Sequence, residues 1–455
     1  MIRMRFLDAA DVVGGDAQGT DVGFRGVNLD SRRVRPGQLF VALTGMQHDG
    51  HDFVEAARRN GATAALVSRP LAVDLPQLVV PDTVQALGVL ARAWRKQFQN
   101  SLIAVAGSNG KTTVKAMLGA IMRHGSRSRV LTAWGNLNNH IGVPLTLLRL
   151  GSRHRCAVVE LGANHPGEIT WLADIAQPTV ALITNAGLDH LAGFGGAEGA
   201  ARTNGEMLAT MNTDGIAVLN ADDSCYPIWR EQLGGRRVVR FGLDASAEVQ
   251  GQWRATGQGG RLEVTSPWGS FGVDLPLLGK HNGVNGLAAA AAALTLDVAP
   301  PIIAEALATM RPVKGRLQLR RGANGTRLID DSYSANPSSL EVALAVLGGF
   351  AGEKVLVLGD MAELGENAVH WHIRAGEAAR AAGIDRLYAI GELTPHAVRA
   401  FGRSARHFPK RRSLIAALRP HLDGRVTVLV KGSRCTGTER IVVALTENHR
   451  RAHGE

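Results

Sequence analysis

The chain has 455 residues, 45% of them hydrophobic, which is enough for two or three globular domains with cores of their own. Its formal charge of +11 calls for an anionic partner, but the arginines are scattered and only three tyrosines are present, so nucleotides or sugar nucleotides satisfy the surplus and no nucleic-acid motif is read. The longest apolar run, "LAAAAAAL" (287–294), is far short of the about 20 residues that cross a bilayer, "MIRMRFLDAADVVGG" reaches Asp8 before a signal-peptide core can build, and Cys156, Cys225 and Cys435 lack both metal spacing and the even count of a disulfide framework.

In chain order, the stretch before Asp82 offers the strands "GQLFVAL" and "GATAALVS" around a helix in "DFVEAARRNGA". Pro81-Asp82 and Arg311-Pro312 read as hinges, because the residue before proline is pushed out of helix. From Val84 to Leu294, "LIAVAG" (102–107), "CAVVELG" (156–162), "VALITNAG" (180–187) and "GIAVLNADD" (215–223) are continuous apolar runs ending in Gly, Asn or Asp, each expected to precede a loop and a helical stretch. Such runs predict buried parallel strands, with ligands gathering at their carboxyl ends. A second series, "TRLIDD" (326–331), "KVLVLGD" (354–360), "RLYAIG" (386–391) and "VTVLVKGS" (426–433), predicts a smaller α/β unit. Three α/β domains are therefore expected, over 1–82, 83–312 and 313–455.

The chemistry concentrates in "AVAGSNGKTTVKAML" (104–118). Gly107, Ser108, Asn109 and Gly110 form a loop whose N–H groups can close on phosphate oxygens, Lys111 reaches the outer phosphates, and the Thr112 hydroxyl suits Mg²⁺, with Thr113 beside it. The helix that follows aims its N-terminus at the nucleotide. The usual first glycine of a P-loop falls on Val105, so the textual match is incomplete while strand, loop and helix are all present. Glu160, in "VVELGANHPGEI", and His190, in "ITNAGLDHLAGFG", end neighbouring strands and are candidates to complete a metal site. His370 and His372 stand well apart on a helix and are not read as ligands.

With these pieces placed, the sequence resembles the Mur ligases along essentially its whole length. "DSRRVRPGQLFVALTGMQHDGHDF" (30–53) looks like the family's uridine-nucleotide domain, which implies that Ser31, Arg32 and Thr44 face a UDP group. "GSNGKTT", "NLNNHIGVPLTLL" (136–148), "ELGANHPGEI" (160–169) and "GKHNGVN" (279–285) follow in family order, then "VKGRL" (313–317), "DDSYSANPSS" (330–339), "LGDMAELG" (358–365) and "VKGSR" (430–434). "DSYSANP" and "GDMAELG" resemble the member whose amine substrate is D-alanyl-D-alanine.

The resemblance implies a central P-loop mononucleotide-binding parallel sheet, flanked by an N-terminal uridine-nucleotide domain and a C-terminal Rossmann-like domain that closes over ATP and binds the dipeptide. It implies a cytoplasmic, monomeric ADP-forming ligase that joins D-alanyl-D-alanine to UDP-N-acetylmuramoyl-tripeptide through an acyl phosphate, with ATP and Mg²⁺ as cofactors and no membrane or nucleic-acid partner. Lys111, Thr112, Glu160 and His190 would serve phosphates and metal. His281, Asn282, Asn285, Arg316 and Asp331 would lie at the nucleotide, and Asn138, Asn139 and Asn336 at substrate. One departure stands out. Where the family carries a lysine whose carbamate ligates a second metal, this chain has Asn204 in "ARTNGEM"; the expectation is a neutral amide oxygen offered to that metal directly or through water, a weakened but not abolished site, and activity independent of CO₂. Ala192 and His140 are further departures. A sibling ligase adding a single amino acid, a P-loop switch or motor ATPase, and a basic nucleic-acid-binding module remain as alternatives.

Overall fold

The computed structural model describes residues 1–124, 129–189 and 191–446 and arranges them around three parallel-rich sheets taken up in chain order. The first, in spatial order, is Asp16–Gln18, Gln77–Val79, Ala62–Val67, Gln38–Val41 and Val27–Asn28, parallel apart from its antiparallel first strand. The third is Gln318–Arg321, Arg327–Asp331, Val426–Lys431, Glu353–Gly359, Arg386–Ile390 and Ala405–His407, again with one antiparallel strand at an edge.

Between them lies a nine-stranded sheet. Its parallel part places Ser101–Ala106 between His154–Glu160 and Val180–Ile183, all three buried along most of their length, as their unbroken apolar runs require. Register pairs Glu160 with Val105, and Ile183 with Ala106. The carboxyl ends of three strands therefore finish in one row, which sets Glu160, the glycine loop and the 184–187 loop side by side. The helix Lys111–His124 covers one face, together with Lys280–Leu294. In the latter, Ala288 to Ala293 are all buried, and side chains this small let two helices approach closely while leaving no polar face.

The far end of this sheet departs from the strand-loop-helix expectation. Val249–Thr256, Gly259–Ser266 and Gly269–Leu275 form an antiparallel meander. Leu262, Val264, Val273 and Leu275 point to the alanine-rich helix while their neighbours face solvent, and such half-buried strands alternate instead of forming the continuous runs that mark the parallel strands.

Asp82 caps the helix Thr83–Lys96, accepting from the Val84 and Gln85 backbone N–H groups at 2.7 and 3.0 Å. One hydrophobic cluster runs without a break from Leu39, Leu66 and Leu78 of the first sheet through Leu87 and Leu90 of that helix to Leu102 and Ala104. Separate clusters cover the two faces of the third sheet. No helix among the described residues is long and apolar enough to cross a membrane.

Candidate active site

The glycine loop is shaped by residues that reach it from neighbouring strand ends. Gly107 (φ +126°) and Gly110 (φ +87°) hold conformations that side chains rarely adopt, and a Cβ there would meet the Thr184 hydroxyl at 2.2 Å and Asn285 Oδ1 at 2.3 Å. The Asn109 N–H donates to Asn185 Oδ1 (2.9 Å), the Ser108 N–H to the Asn185 carbonyl (3.0 Å), and the Thr184 hydroxyl to the Asn109 carbonyl (2.7 Å). Lys111 folds its ammonium over the loop, donating to the Gly107 and Ser108 carbonyls.

Beside the loop, Glu160 is 2% exposed. It receives the Thr112 hydroxyl at 3.0 Å, Lys115 Nζ at 3.0 Å and Asn138 Nδ2 at 2.9 Å. Burial pushes its carboxyl up, but the Lys115, Lys111 and Arg316 cations and the Lys115 hydrogen bond outweigh this and hold it below the ordinary carboxylate range. Lys115, which the sequence reading passed over, is itself buried and also donates to the Gly135 carbonyl at 2.6 Å. Lys115 lies one helical turn beyond Lys111 and so shares its face, but no sequence spacing pairs it with Glu160, 45 positions away.

The Thr112 hydroxyl and Glu160 carboxylate are adjacent hard oxygen donors, the type Mg²⁺ takes. Among the described residues, no group of three or more His, Cys, Asp or Glu is placed to hold a metal. A cation here would draw its other ligands from phosphate oxygens and water, the coordination Mg²⁺ favours. His190 lies outside the described residues. Asp189, next to it, is 5% exposed, and its Oδ1 has no hydrogen-bond partner among the described residues.

The Asn204 amide, expected to offer its oxygen to a metal, is engaged by the glycine loop in the structure. It is buried in the helix Ala197–Thr210, its Oδ1 accepts the Gly107 N–H at 3.0 Å and its Nδ2 donates to the Ala200 carbonyl at 2.8 Å. Both ends of the amide are engaged within the protein, and the residue ties this helix to the first residue of the glycine loop.

The third sheet supplies the opposite wall. Arg316 Nη2 donates to the Thr112 hydroxyl at 3.2 Å, and Asn336 Nδ2 to Asn109 Oδ1 at 3.2 Å. Arg316 is launched from a bend in which Gly315 (φ +73°) and Leu317 (φ +46°) are both left-handed. Leu317, a branched residue, is held there by the Asp331 carboxylate, which accepts its N–H at 3.1 Å. The other Asp331 oxygen takes the buried Lys431 ammonium at 2.6 Å, so Asp331 orients the loop. Asn336 also caps the helix Pro337–Gly348 in a capping box with Ser339.

A cleft of about 930 Å³ opens between these walls. It brings together Ser108 to Thr113, Glu160, Arg316, Asp331 and Asn336 with His281, Asn282 and Asn285 of the alanine-rich helix. His281 has its imidazole lowered to about 4, chiefly by desolvation. Asn138 and Asn139 also reach the cleft, but the first is engaged by Glu160 and the second accepts the Gly142 N–H at 2.9 Å. Ser31, Arg32 and Thr44 do not line this cleft. Ser31 and Arg32 sit in a short turn capped by Asp30, and Thr44 bridges Asp49 beyond the strand Gln38–Val41. His372 uses both ring nitrogens internally, toward the Ala368 carbonyl (2.7 Å) and the Met361 N–H (3.1 Å).

A phosphate loop, an adjacent hydroxyl-carboxylate pair and an arginine delivered by a separate sheet define a P-loop nucleotide enzyme whose site is completed across a domain cleft. Three family models match in succession: "Mur ligase family, catalytic domain" over residues 23–125, "Mur ligase middle domain" over 105–293 and "Mur ligase, glutamate ligase domain" over 315–434. The UDP-N-acetylmuramoyl-tripeptide--D-alanyl-D-alanine ligase of Escherichia coli is 42% identical, over 98% of this chain and 99% of its own. The Bacillus subtilis protein of the same name is 32% identical over 98% and 99%. Among solved structures, MurF from Acinetobacter baumannii superposes with a TM-score of 0.92 at 34% identity, covering 98% of this chain and 100% of its own. MurF from Thermotoga maritima in complex with ADP gives 0.82 at 30%, covering 92% and 96%. The chain belongs to the Mur ligase family.

Proposed function

We propose that the protein is the ADP-forming ligase that joins D-alanyl-D-alanine to UDP-N-acetylmuramoyl-tripeptide, making UDP-N-acetylmuramoyl-pentapeptide in the cytoplasm. The observation that carries this reading is the pair of contacts from Arg316 to Thr112 and Asn336 to Asn109. A nucleotide site walled by a second domain suits transfer to a large acceptor, which a switch ATPase does not need. The full-length similarity to ligases of that name supports the choice of acceptor and amine.

A carboxylate does not react with an amine at neutral pH. In the first step a terminal oxygen of the tripeptide carboxylate attacks the γ-phosphorus, the bond to ADP breaks, and an acyl phosphate forms. In the second, the neutral amine of D-alanyl-D-alanine attacks the carbonyl, inorganic phosphate leaves with the former carboxylate oxygen, and the amine's proton is lost to solvent. There is little covalent work for the protein, so rate comes from positioning and charge neutralisation.

The glycine loop's N–H groups and Lys111 hold the phosphate chain, and Arg316 meets charge developing on the transferred group from the opposite wall. Thr112 and Glu160 would hold Mg²⁺, which when bound neutralises the outer phosphates. Lys115 and Asn138 keep the Glu160 carboxylate aimed. His281, Asn282 and Asn285 shape the nucleotide wall, while Ser31, Arg32 and Thr44, beyond the carboxyl ends of the strands Val27–Asn28 and Gln38–Val41, would take the uridine end. The domains are assigned as 1–82 for the uridine nucleotide, 83–312 for ATP and 313–455 for closure and the dipeptide.

The test supplies ATP, Mg²⁺, D-alanyl-D-alanine and the lysine- or diaminopimelate-containing tripeptide in turn, and weighs the product. Pentapeptide, with oxygen-18 from the tripeptide carboxylate found in the released phosphate, is expected. ATP turnover without an acceptor, or single amino acids accepted in place of the dipeptide, overturns the reading.

A further inference from the structure

The "VKGSR" segment ends in an arginine for which the chemistry above has no use. Its lysine is committed: Lys431 is 1% exposed and divides its ammonium between Asp331 and the Ser334 carbonyl. Arg434 is exposed, and among the described residues no carboxylate pairs with it. Its guanidinium carbon rests 5.7 Å from the centre of the Tyr333 ring. Arg316 rests on the same ring at 4.5 Å and reaches the phosphate end of the cleft, which Tyr333 lines.

The backbone that presents Arg434 is rigid. The Ser433 hydroxyl accepts the Ala362 N–H at 2.8 Å and donates to the Ala335 carbonyl at 3.3 Å, while the Ser433 N–H donates to the Asp360 carbonyl at 2.9 Å. One serine thus knits the "DSYSANP", "GDMAELG" and "VKGSR" loops together. Arg434–Thr436 is a single tight turn closed by left-handed Gly437 (φ +64°), and Arg411 braces the Thr436 carbonyl at 3.0 Å. Gly359 and Gly432 pack so closely on Thr436 that a Cβ at either would approach its hydroxyl to 2.6 and 2.8 Å. Three loops of the third sheet are thereby fixed around a cation that the fold itself does not consume.

We propose that Arg434 binds the terminal carboxylate of the incoming dipeptide and so determines that the amine substrate is a free acid. This rests on the ligase reading above. The two guanidinium carbons are no more than about 10 Å apart through the shared ring, and a dipeptide, with about 3.8 Å between its Cα atoms, reaches about 6–7 Å from amine to carboxylate. With its carboxylate on Arg434, the amine falls on the Arg316 side, where the acyl phosphate forms. A planar guanidinium held near an aromatic ring with no carboxylate on it keeps its fork free for a bidentate carboxylate, which a lysine cannot match.

The experiment measures steady-state kinetics for the full chain, R434A and R434K with D-alanyl-D-alanine and with its C-terminal amide. Loss of a charge-assisted, bidentate contact is expected to raise KM for the dipeptide roughly 10- to 100-fold in R434A, with KM for ATP and for the UDP-tripeptide within about twofold. R434K recovers only part. The parent enzyme discriminates against the amide, and in R434A that discrimination collapses. If the parent forms pentapeptide while R434A keeps its dipeptide KM, or still rejects the amide, or shifts KM for ATP instead, the assignment is wrong. If the parent forms no pentapeptide, it is the ligase reading that has failed.

Discussion

Replacing Asn204 separates two accounts of that position. As a metal ligand it would matter only once a cation is bound; as the tie between the Ala197–Thr210 helix and the glycine loop, it matters in the bare protein. The structure gives it two buried hydrogen bonds, to the Gly107 N–H at 3.0 Å and the Ala200 carbonyl at 2.8 Å. In N204A the Gly107 donor is left without an acceptor, at about 1–3 kcal/mol, and the second bond adds about 0.5–1.5. A total loss of about 1.5–4.5 kcal/mol lowers Tm by roughly 3–18 °C for a unit of about 200 residues. N204L keeps the volume but neither bond, so it isolates the polar contribution from a cavity. The assay is thermal unfolding after exhaustive chelation and CO₂ removal. Unchanged melting of both variants, with weakened Mn²⁺ binding in the presence of an ATP analogue, would refute the tie and restore the metal role. An amide also lacks the amine that captures CO₂, so activity of the parent enzyme should be indifferent to bicarbonate.

K115M strips the buried cation from Glu160 and should destabilise by roughly 3–5 kcal/mol at pH 7. The double variant K115M/E160Q should recover much of that in denaturant unfolding, and strict additivity would contradict the pairing. R316A should lower kcat by about 100- to 1,000-fold with the melting temperature retained; an unaltered kcat would remove Arg316 from the chemistry. His281 is lowered to about 4 in the folded chain, so between that value and the unfolded value of about 6.5 the unfolded state binds more protons and stability falls as pH drops. H281N should flatten this slope by about 1–3 kcal/mol across the window, and an equal acid sensitivity in parent and variant would show the shift to be absent.

What could be read from the sequence divides along a physical line. The strands around the nucleotide are buried on both faces, so "LIAVAG", "CAVVELG" and "VALITNAG" announce themselves, and the polar residues that end them are conspicuous. The meander over 249–275 has one wet face, and its alternating "VQGQWRAT" lacks that signal. Similarly, the glycine loop was legible because φ-permissive glycines and a lysine stand in a row, whereas the residues that aim its chemistry are scattered through the chain. Lys115 acts on Glu160 from 45 positions away, and Lys431 on Asp331 from 100. Neither spacing carries a period, because the contact is made by strand order and not by a local turn. Asn204 is the sharpest case: the sequence showed that an amine was missing, and an amide oxygen was the natural substitute for a ligand. Whether that oxygen faces a metal or a backbone N–H depends on how the Ala197–Thr210 helix meets Gly107, a relation between elements 97 residues apart that packing alone decides.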